Sequence, residues 1–406
     1  MVAPLQQPRM PALLLGGHIA ALGVLRSLAA RHVRSYVVVD ATDVITRSRW
    51  YRSPGPALPE TTDSAVLAEY LRSLPLKRAV VIACSDEWAV AVAGLPADLR
   101  DRFLTSAPTR EAAEQLTDKD LFGALVTRLG IPHPRTVEIK EPADLDRVTD
   151  EQLSNAFLKP TSSVLHRRAF GTKGSFVDSR EAAVRRVKEA AALGIDFVLQ
   201  EWIPGTHSAS ILIDGFVDGD GDVRALTARR RIRQDPPRLG TSTSSVGIAA
   251  EEVGEAVDAV KRLLADVRYR GIFNIEFKYD SRDGRYKIIE FNPRPCWYTG
   301  TIARGGVDLP WMAYLDAQGL PMPDPGRYPA GRHAYYEFRD ASAIARAWAQ
   351  RRRPEGPVLR TWLTGDRALF WWRDPMPALA MLARSLGGPL RQVLRPLRRV
   401  SSTGSG

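Results

Sequence analysis

The residues best suited to chemistry lie between 271 and 295, GIFNIEFKYDSRDGRYKIIEFNPRP. Two strands of alternating character flank a turn. In the first, Ile275, Phe277 and Tyr279 fall on one side, and Asn274, Glu276 and Lys278 on the other. In the second, Ile289 and Phe291 alternate with Glu290 and Asn292. Arg282-Asp283-Gly284 reads as a three-residue loop with glycine in the left-handed position. That loop pairs Ser281 with Arg285, which sets Glu276 opposite Glu290 and Asn274 opposite Asn292. Cross-strand side chains on one face stand ~5 Å apart, and like charges there are destabilising. A divalent cation relieves the conflict. Two carboxylates and an amide carbonyl are hard oxygen donors, suited to Mg²⁺ rather than zinc, and Mg²⁺ is usually shared with substrate phosphates. Glu276, Glu290 and Asn292 are therefore candidate metal ligands, and the hairpin implies a nucleotide. The competing reading is a solvated strand face with both glutamates paired to Lys278 or Arg294.

Other segments carry related signals. Phe170–Ser175 places two glycines, Gly171 and Gly174, around Lys173. A backbone with free N–H groups can fold over a phosphate there, or the segment is a plain turn. Arg229, Arg230, Arg231 and Arg233 are dense and precede Pro236-Pro237 and GTSTSS (240–245). In a strand, Arg231 and Arg233 share one face, where planar donors suit an anionic group. The alternative is a solvated basic strand. Trp297-Tyr298-Thr299-Gly300 either lines a substrate pocket or belongs to the core.

These residues need elements to position them. Ala12–Leu15, Ile19–His32 and Tyr36–Asp40 read as strand, helix and strand, with Gly16-Gly17-His18 as the turn. This βαβ unit predicts a parallel sheet, to which Ala79–Ala83 adds a strand. A dinucleotide site is set aside, because His18 stands where G-x-G-x-x-G needs its second glycine. One helix is predicted over Arg110–Leu129, ended by Gly130, Pro132 and Pro134. Further strands are expected at Ala156–Lys159, Phe197–Glu201, Ser210–Ile213, Ile272–Tyr279 and Tyr286–Phe291, with helices at Ser179–Leu193 and Glu251–Val267. Pro321–Pro329 reads as a linker.

The chain has 406 residues, 44% apolar and 25% charged, which excludes a disordered or collagen-like chain. Cys84 and Cys296 build neither a disulfide framework nor a Cys-rich zinc site and fit a reducing compartment. No signal peptide or spanning segment is read, so a cytoplasmic location is expected. The net charge of +11 is concentrated: residues 331–406 hold fourteen arginines against five acids, or +9, leaving +2 for the rest. A nucleic-acid partner is therefore not expected for the main body. In the basic stretch Trp348, Trp362, Trp371 and Trp372 accompany leucines at helical spacing (Leu379, Leu382, Leu386, Leu390, Leu397). That combination fits an anionic membrane surface at its inner face. Docking to another subunit, binding to an anionic carrier or nucleic acid, or an ordinary solvated helix are the alternatives.

Taken in order, Asp118-Lys119, LGIPHPRT (129–136), FLKP (157–160), FGTKGS (170–175), VLQEWIPG (198–205) and IIEFNPRP (288–295) resemble the ATP-grasp superfamily over most of residues 10–325. RRRIRQDPP (229–237) is similar to a stretch of its ATP-dependent carboligases. The resemblance implies a mixed α/β and α+β architecture. A doubly wound, Rossmann-like domain (1–112) would precede a two-lobed ATP-grasp domain (113–325, small lobe about 135–205) and a basic extension (326–406). It implies an ADP-forming carboxylate–amine ligase using ATP and Mg²⁺, with Mn²⁺ as a substitute, on small-molecule carboxylate and amine substrates. Lys119 and Lys159 would contact the nucleotide phosphates, with Gly171, Lys173 and Gly174 looped over them. Gln200, Glu201, Trp202 and Ile203 would form the hinge against adenine, Glu201 accepting from its amino group. Glu276, Glu290 and Asn292 would hold the metal, and Arg294 would steady the transferring phosphate. Arg231 and Arg233 would grip the acyl phosphate or the substrate carboxylate. Family members often carry an acid after the hinge glycine to bind ribose; here Thr206-His207-Ser208 follows Gly205, and His207 stands in. A grasp-fold carboxylase or phosphotransferase, or a nucleotide-binding module without turnover, are the other functions in view.

Overall fold

The computed structural model describes residues 9–160, 166, 169–172 and 174–385. Lys173 and the leucines and arginines beyond 385 lie outside the described residues. Four short apolar strands form the first sheet: β1 (Ala12–Leu15), β2 (Ser35–Val38), β3 (Ala79–Ala83) and β4 (Phe103–Thr105). All are parallel, in the order β2-β1-β3-β4. Parallel strands covered on both faces read as continuous apolar runs, and all four residues of β1 are buried. The helix His18–Ala30 crosses between β1 and β2 and packs so closely on the helix Thr299–Arg304 that only glycines fit at the contact. A Cβ on Gly23 would lie 2.8 Å from the Gly300 nitrogen. Strand order reverses between β1 and β3, so a crevice opens beyond their carboxyl ends, at Gly16–His18 and Cys84–Glu87.

The second sheet is antiparallel and small: β5 (Thr136–Ile139), β6 (Ala156–Pro160) and β7 (Phe197–Glu201), with β7 central. The helix Arg180–Ala191 buries Ala183, Val187 and Ala190 against it. The third sheet comprises β8 (Ser210–Val217), β9 (Val223–Asp235), β10 (Thr241–Ile248), β11 (Gly271–Asp280), β12 (Arg285–Asn292), β13 (His333–Tyr335) and β14 (Asp366–Arg367). Their order is β12-β11-β8-β9-β10-β13-β14. Ile211, Ile213, Phe273, Ile275 and Phe277 bury one face under the helix Gly254–Asp266. Each such side chain contributes roughly 1.5–3 kcal/mol of burial. Alternation sends Asn274, Glu276 and Lys278 to the opposite face.

The structure corrects three expectations. Residues 110–129 form two helices, Arg110–Thr117 and Lys119–Arg128, not one. Asp118 leaves the helical conformation (ψ 130°), and its carboxylate caps the second helix by accepting from the N–H groups of Asp120 and Leu121 at 3.0 and 2.9 Å. The hairpin loop has four residues, Ser281–Gly284, because Asp280 pairs with Arg285. Gly284 is left-handed as expected, at φ 73°. A register shift follows: Phe277 pairs with Ile288 and Glu276 with Glu290, so Ile289 is a bulge. Finally, the basic extension from 326 is in part continuous with the large sheet, since β13 and β14 pair onto it. Asp340, in the helix Glu337–Ala349, is wholly buried and accepts from Arg233 (two bonds of 2.9 Å), Thr243 (2.8 Å) and Trp362 (2.8 Å). Asp374 reaches the first domain, accepting from Arg26 (3.0 Å), Ser48 (2.8 Å) and the Arg49 N–H (3.0 Å).

Candidate active site

The polar face of the large sheet gathers the hairpin residues. Glu276 stands directly across from Glu290, and Asn274 across from Asn292. Both pairs keep the register that a three-residue loop implies, because the bulge at Ile289 cancels the extra loop residue. Glu276 accepts from Arg231 at 2.6 Å, and Arg231 donates to Gln234 at 2.7 Å. The Arg231 Nε is buried and has no hydrogen-bond partner among the described residues. A buried donor of this kind beside a carboxylate face is ready for an anionic oxygen.

Asn292 is oriented by a chain of bonds. Asp214 accepts from the Asn274 amide (2.9 Å), the Asn274 Oδ1 accepts from Asn292 Nδ2 (3.3 Å), and Asn292 Oδ1 accepts from Arg294 (2.9 Å). The Asn292 oxygen thus faces Arg294, away from Asn274. Arg294 in turn grips Asp86, at the crevice of the first domain, through two bonds of 2.9 Å. Burial disfavours its charge, but Asp86 outweighs that and holds the guanidinium above its ordinary range. Beneath these residues Arg229 is fully buried against Asp214 and lies 3.5 Å over the Tyr298 ring. Burial, reinforced by Asp214, pushes the Cys296 thiol up to about 12, so it is inert as a nucleophile.

The lysines come from other elements. The break at Asp118 makes Lys119 the first residue of its helix, and its amine donates to the Pro160 carbonyl at the end of β6. Lys159 is on β6, 3.5 Å from Gln200 Oε1. Burial, then the charge of Lys159, pushes Lys119 down to about 8, while Glu290 opposes the shift. Two lysines and a hairpin carboxylate therefore share one electrostatic neighbourhood. Gly171 is left-handed (φ 74°), and Ser175 pairs with Leu158 at 2.8 and 2.9 Å. A Cβ on Gly174 would lie 2.9 Å from the Leu158 oxygen, so the glycine loop closes onto β6 next to Lys159.

The hinge residues behave less uniformly. Gln200 and Ile203 are buried, and the Trp202 N–H donates to Asn155 at 2.7 Å. The Glu201 carboxylate is committed: it takes the Arg135 N–H at 3.1 Å and Arg282 at 2.7 Å, tying the hinge to the hairpin tip. The Trp202 ring meets Phe157 and Phe176 edge-on at 5.9 and 5.2 Å and carries Lys278 4.7 Å from its centre. His207 is turned to the Pro237 carbonyl, 3.2 Å away, and to Glu355. Arg233 is closed off by Asp340 and the Glu355 carbonyl (2.8 Å) and does not join the hairpin cluster. Asp86 and Asp214 were not singled out by sequence. Asp214 carries the one available signal, an acid inside the apolar strand SILIDGFV. A cavity of about 480 Å³ lies apart from this face, between Gly94, Arg100, Arg110 and Arg270.

No protein-family model matches the chain. Among curated proteins it is 27% identical over 243 residues to D-aspartate ligase of Enterococcus faecium, covering 57% of each. It is 26% identical over 230 residues to the C-terminal section of the carbamoyl phosphate synthase large chain of Methanopyrus kandleri, covering 52% of this chain and 41% of the relative. The chain thus spans about half the length of the curated relatives it matches. Solved structures match over more of it. Carboxyaminoimidazole ribonucleotide synthase from Aspergillus clavatus, complexed with ATP, superimposes with a TM-score of 0.61 at 13% identity, covering 80% of this chain and 82% of that one. L-amino acid ligase from Bacillus licheniformis gives 0.58 at 14% identity, covering 82% and 80%. The chain has the ATP-grasp fold. Two sheets contribute to the candidate site: Lys159 and Gln200–Glu201 lie on the three-stranded β5–β7 sheet, Glu276, Glu290 and Asn292 on the seven-stranded one. Lys119 and Glu201 connect them.

Proposed function

We propose that the chain is an ATP-dependent carboxylate–amine ligase working in the cytoplasm. One observation carries the reading: a paired Glu276/Glu290 face with an oriented Asn292 lies within the electrostatic reach of Lys119 and its neighbour Lys159. Hard oxygen donors facing paired ammonium groups are what a metal-bound polyphosphate requires. Glu276, Glu290 and Asn292 would hold Mg²⁺, which supplies charge neutralisation on the phosphate oxygens. Lys119 and Lys159 hold the phosphates, and the hinge end at Glu201–Ile203 meets the base through its backbone, since the Glu201 carboxylate is engaged elsewhere. A substrate carboxylate oxygen attacks the γ-phosphorus and ADP leaves. The amine nitrogen then attacks the acyl carbon, phosphate departs, and the amine proton passes to solvent. Arg294 and Arg231, which donate to Asn292 and Glu276, would steady the transferring group. The crevice at Gly16–His18 and Asp86 opens beside Arg294 and offers the acceptor its place. The similarity to a D-aspartate ligase and an L-amino acid ligase supports an amino acid as one substrate. The test is hydroxylamine trapping with ATP, Mg²⁺ and pooled carboxylates. A hydroxamate of defined mass is expected; turnover that needs only bicarbonate replaces the ligase with a carboxylase.

Two further outcomes are expected. A bound polyphosphate raises the Lys119 pKa from about 8. Nucleotide affinity is therefore full below that pH and falls as pH rises through it. Calorimetry at about pH 8.5, in buffers of different ionisation enthalpy, should show proton uptake on binding. Absence of uptake removes Lys119 from the phosphate site. In addition, Asn274→Ala frees the Asn292 amide to rotate, and Mn²⁺ affinity should drop about 10–100-fold. Unchanged Mn²⁺ titration, read by its paramagnetic signal, rules out the relay from Asp214.

A further inference from the structure

The last described segment is apolar on both sides. Over 376–385 the chain is helical, and Pro377, Ala378 and Met381 turn inward onto the core of the first domain. The outward side carries Met376, Leu379 and Leu382, which are 52%, 48% and 43% exposed. Trp372, just before it, is 84% exposed and is propped edge-on by Phe370 at 4.8 Å. A surface helix normally turns a polar face to water, so an uncovered second apolar face marks a contact. Its charge identifies the partner. From residue 372 to the end there are six arginines and a single acid, Asp374. That acid is buried and satisfied by Arg26, so within this stretch of sequence no exposed carboxylate offsets the arginines. Arg373 and Arg384 are exposed near the apolar face, Arg384 also donating to the Thr42 carbonyl.

From this juxtaposition we infer that Trp372, Met376, Leu379 and Leu382, flanked by Arg373 and Arg384, dock the chain on an anionic lipid surface. The tryptophan and the leucines enter the headgroup boundary and the arginines meet the lipid phosphates. A second copy is disfavoured as occupant, because a twofold contact on this face sets Arg373 and Arg384 against their own copies. The surrounding fold limits the docking element to this face. Residues 333–374 are held by Asp340 and Asp374 to the large sheet and the first domain, so the enzyme would sit against the membrane as a rigid body.

The experiment is co-sedimentation of the full chain with vesicles of phosphatidylcholine alone or mixed with phosphatidylglycerol. Binding to the anionic vesicles should be at least about tenfold tighter and should weaken as salt is raised. The paired substitution Leu379→Glu/Leu382→Glu should lower it about tenfold or more. Leu193→Glu, an equally exposed leucine elsewhere, should leave it unchanged. Thermal melting reports that both variants are folded. The inference is overturned if the chain ignores anionic vesicles at low salt, or if the paired variant binds as well as the parent. It is also overturned if light scattering shows a dimer that the paired substitution dissociates without any vesicle binding.

Discussion

Glu290→Ala is expected to lower the proposed ADP formation by at least about a hundredfold and to leave the thermal midpoint of the chain unchanged. The two halves of this result have separate causes. Glu290 is exposed and lies directly opposite Glu276, so its removal costs little packing and relieves a like-charge pair. Activity falls because half of the carboxylate pair is gone. Lys119 also loses the carboxylate that opposes its deprotonation, so less of it is charged near neutral pH. A coupled ADP assay with calorimetric melting checks both halves, and Glu290→Gln separates charge from shape. Full ADP production by the alanine variant would remove this hairpin from phosphoryl transfer.

Asp340→Ala costs stability instead, about 3–5 kcal/mol. Asp340 is 0% and Arg233 2% exposed. The substitution strands a buried guanidinium and also orphans the Trp362 indole N–H and the Thr243 hydroxyl. Urea denaturation measures the loss. Asp98→Ala, which breaks the solvent-exposed pair with Arg72, serves as the reference at about 0–1 kcal/mol. Arg233→Met combined with Asp340→Leu should recover much of the loss, because no lone charge remains inside. If Asp340→Ala behaves like the reference, the basic region is not fastened to the sheet through this acid.

The carboxylate face was legible because strand alternation is local: Glu276 and Glu290 announce their side of the sheet from their immediate neighbours. Lys159 was legible for the same reason, as a charge at the end of an apolar run. What escaped depends on partners far along the chain. Arg229 and Arg233 looked like one basic strip, yet one closes on Asp214 and the other on Asp340, 107 residues away. The residues 331–374 looked like a separate basic piece because the few acids that fasten them, Asp340 and Asp374, pair across distances that no periodicity reports. Asp118 was absorbed into a continuous helical pattern because a capping aspartate and a helical one look alike until the backbone is seen to turn. The ion pair of Glu201 escaped for another reason: its partner Arg282 sits on the hairpin tip, and the approach of the two sheets is a tertiary event.

The bulge at Ile289 divides the hairpin into two stretches that keep separate time. Between it and the tip, strand partners follow the loop; beyond it, they follow the sheet core, where Ile275 and Phe291 are locked among buried neighbours. The extra residue works as a slip joint. A change of one residue in tip length can be absorbed there, and the carboxylates stay in step with each other. Arg282 can thus be repositioned to suit the opposing sheet without disturbing the chemistry about a dozen ångströms or more further along the ribbon.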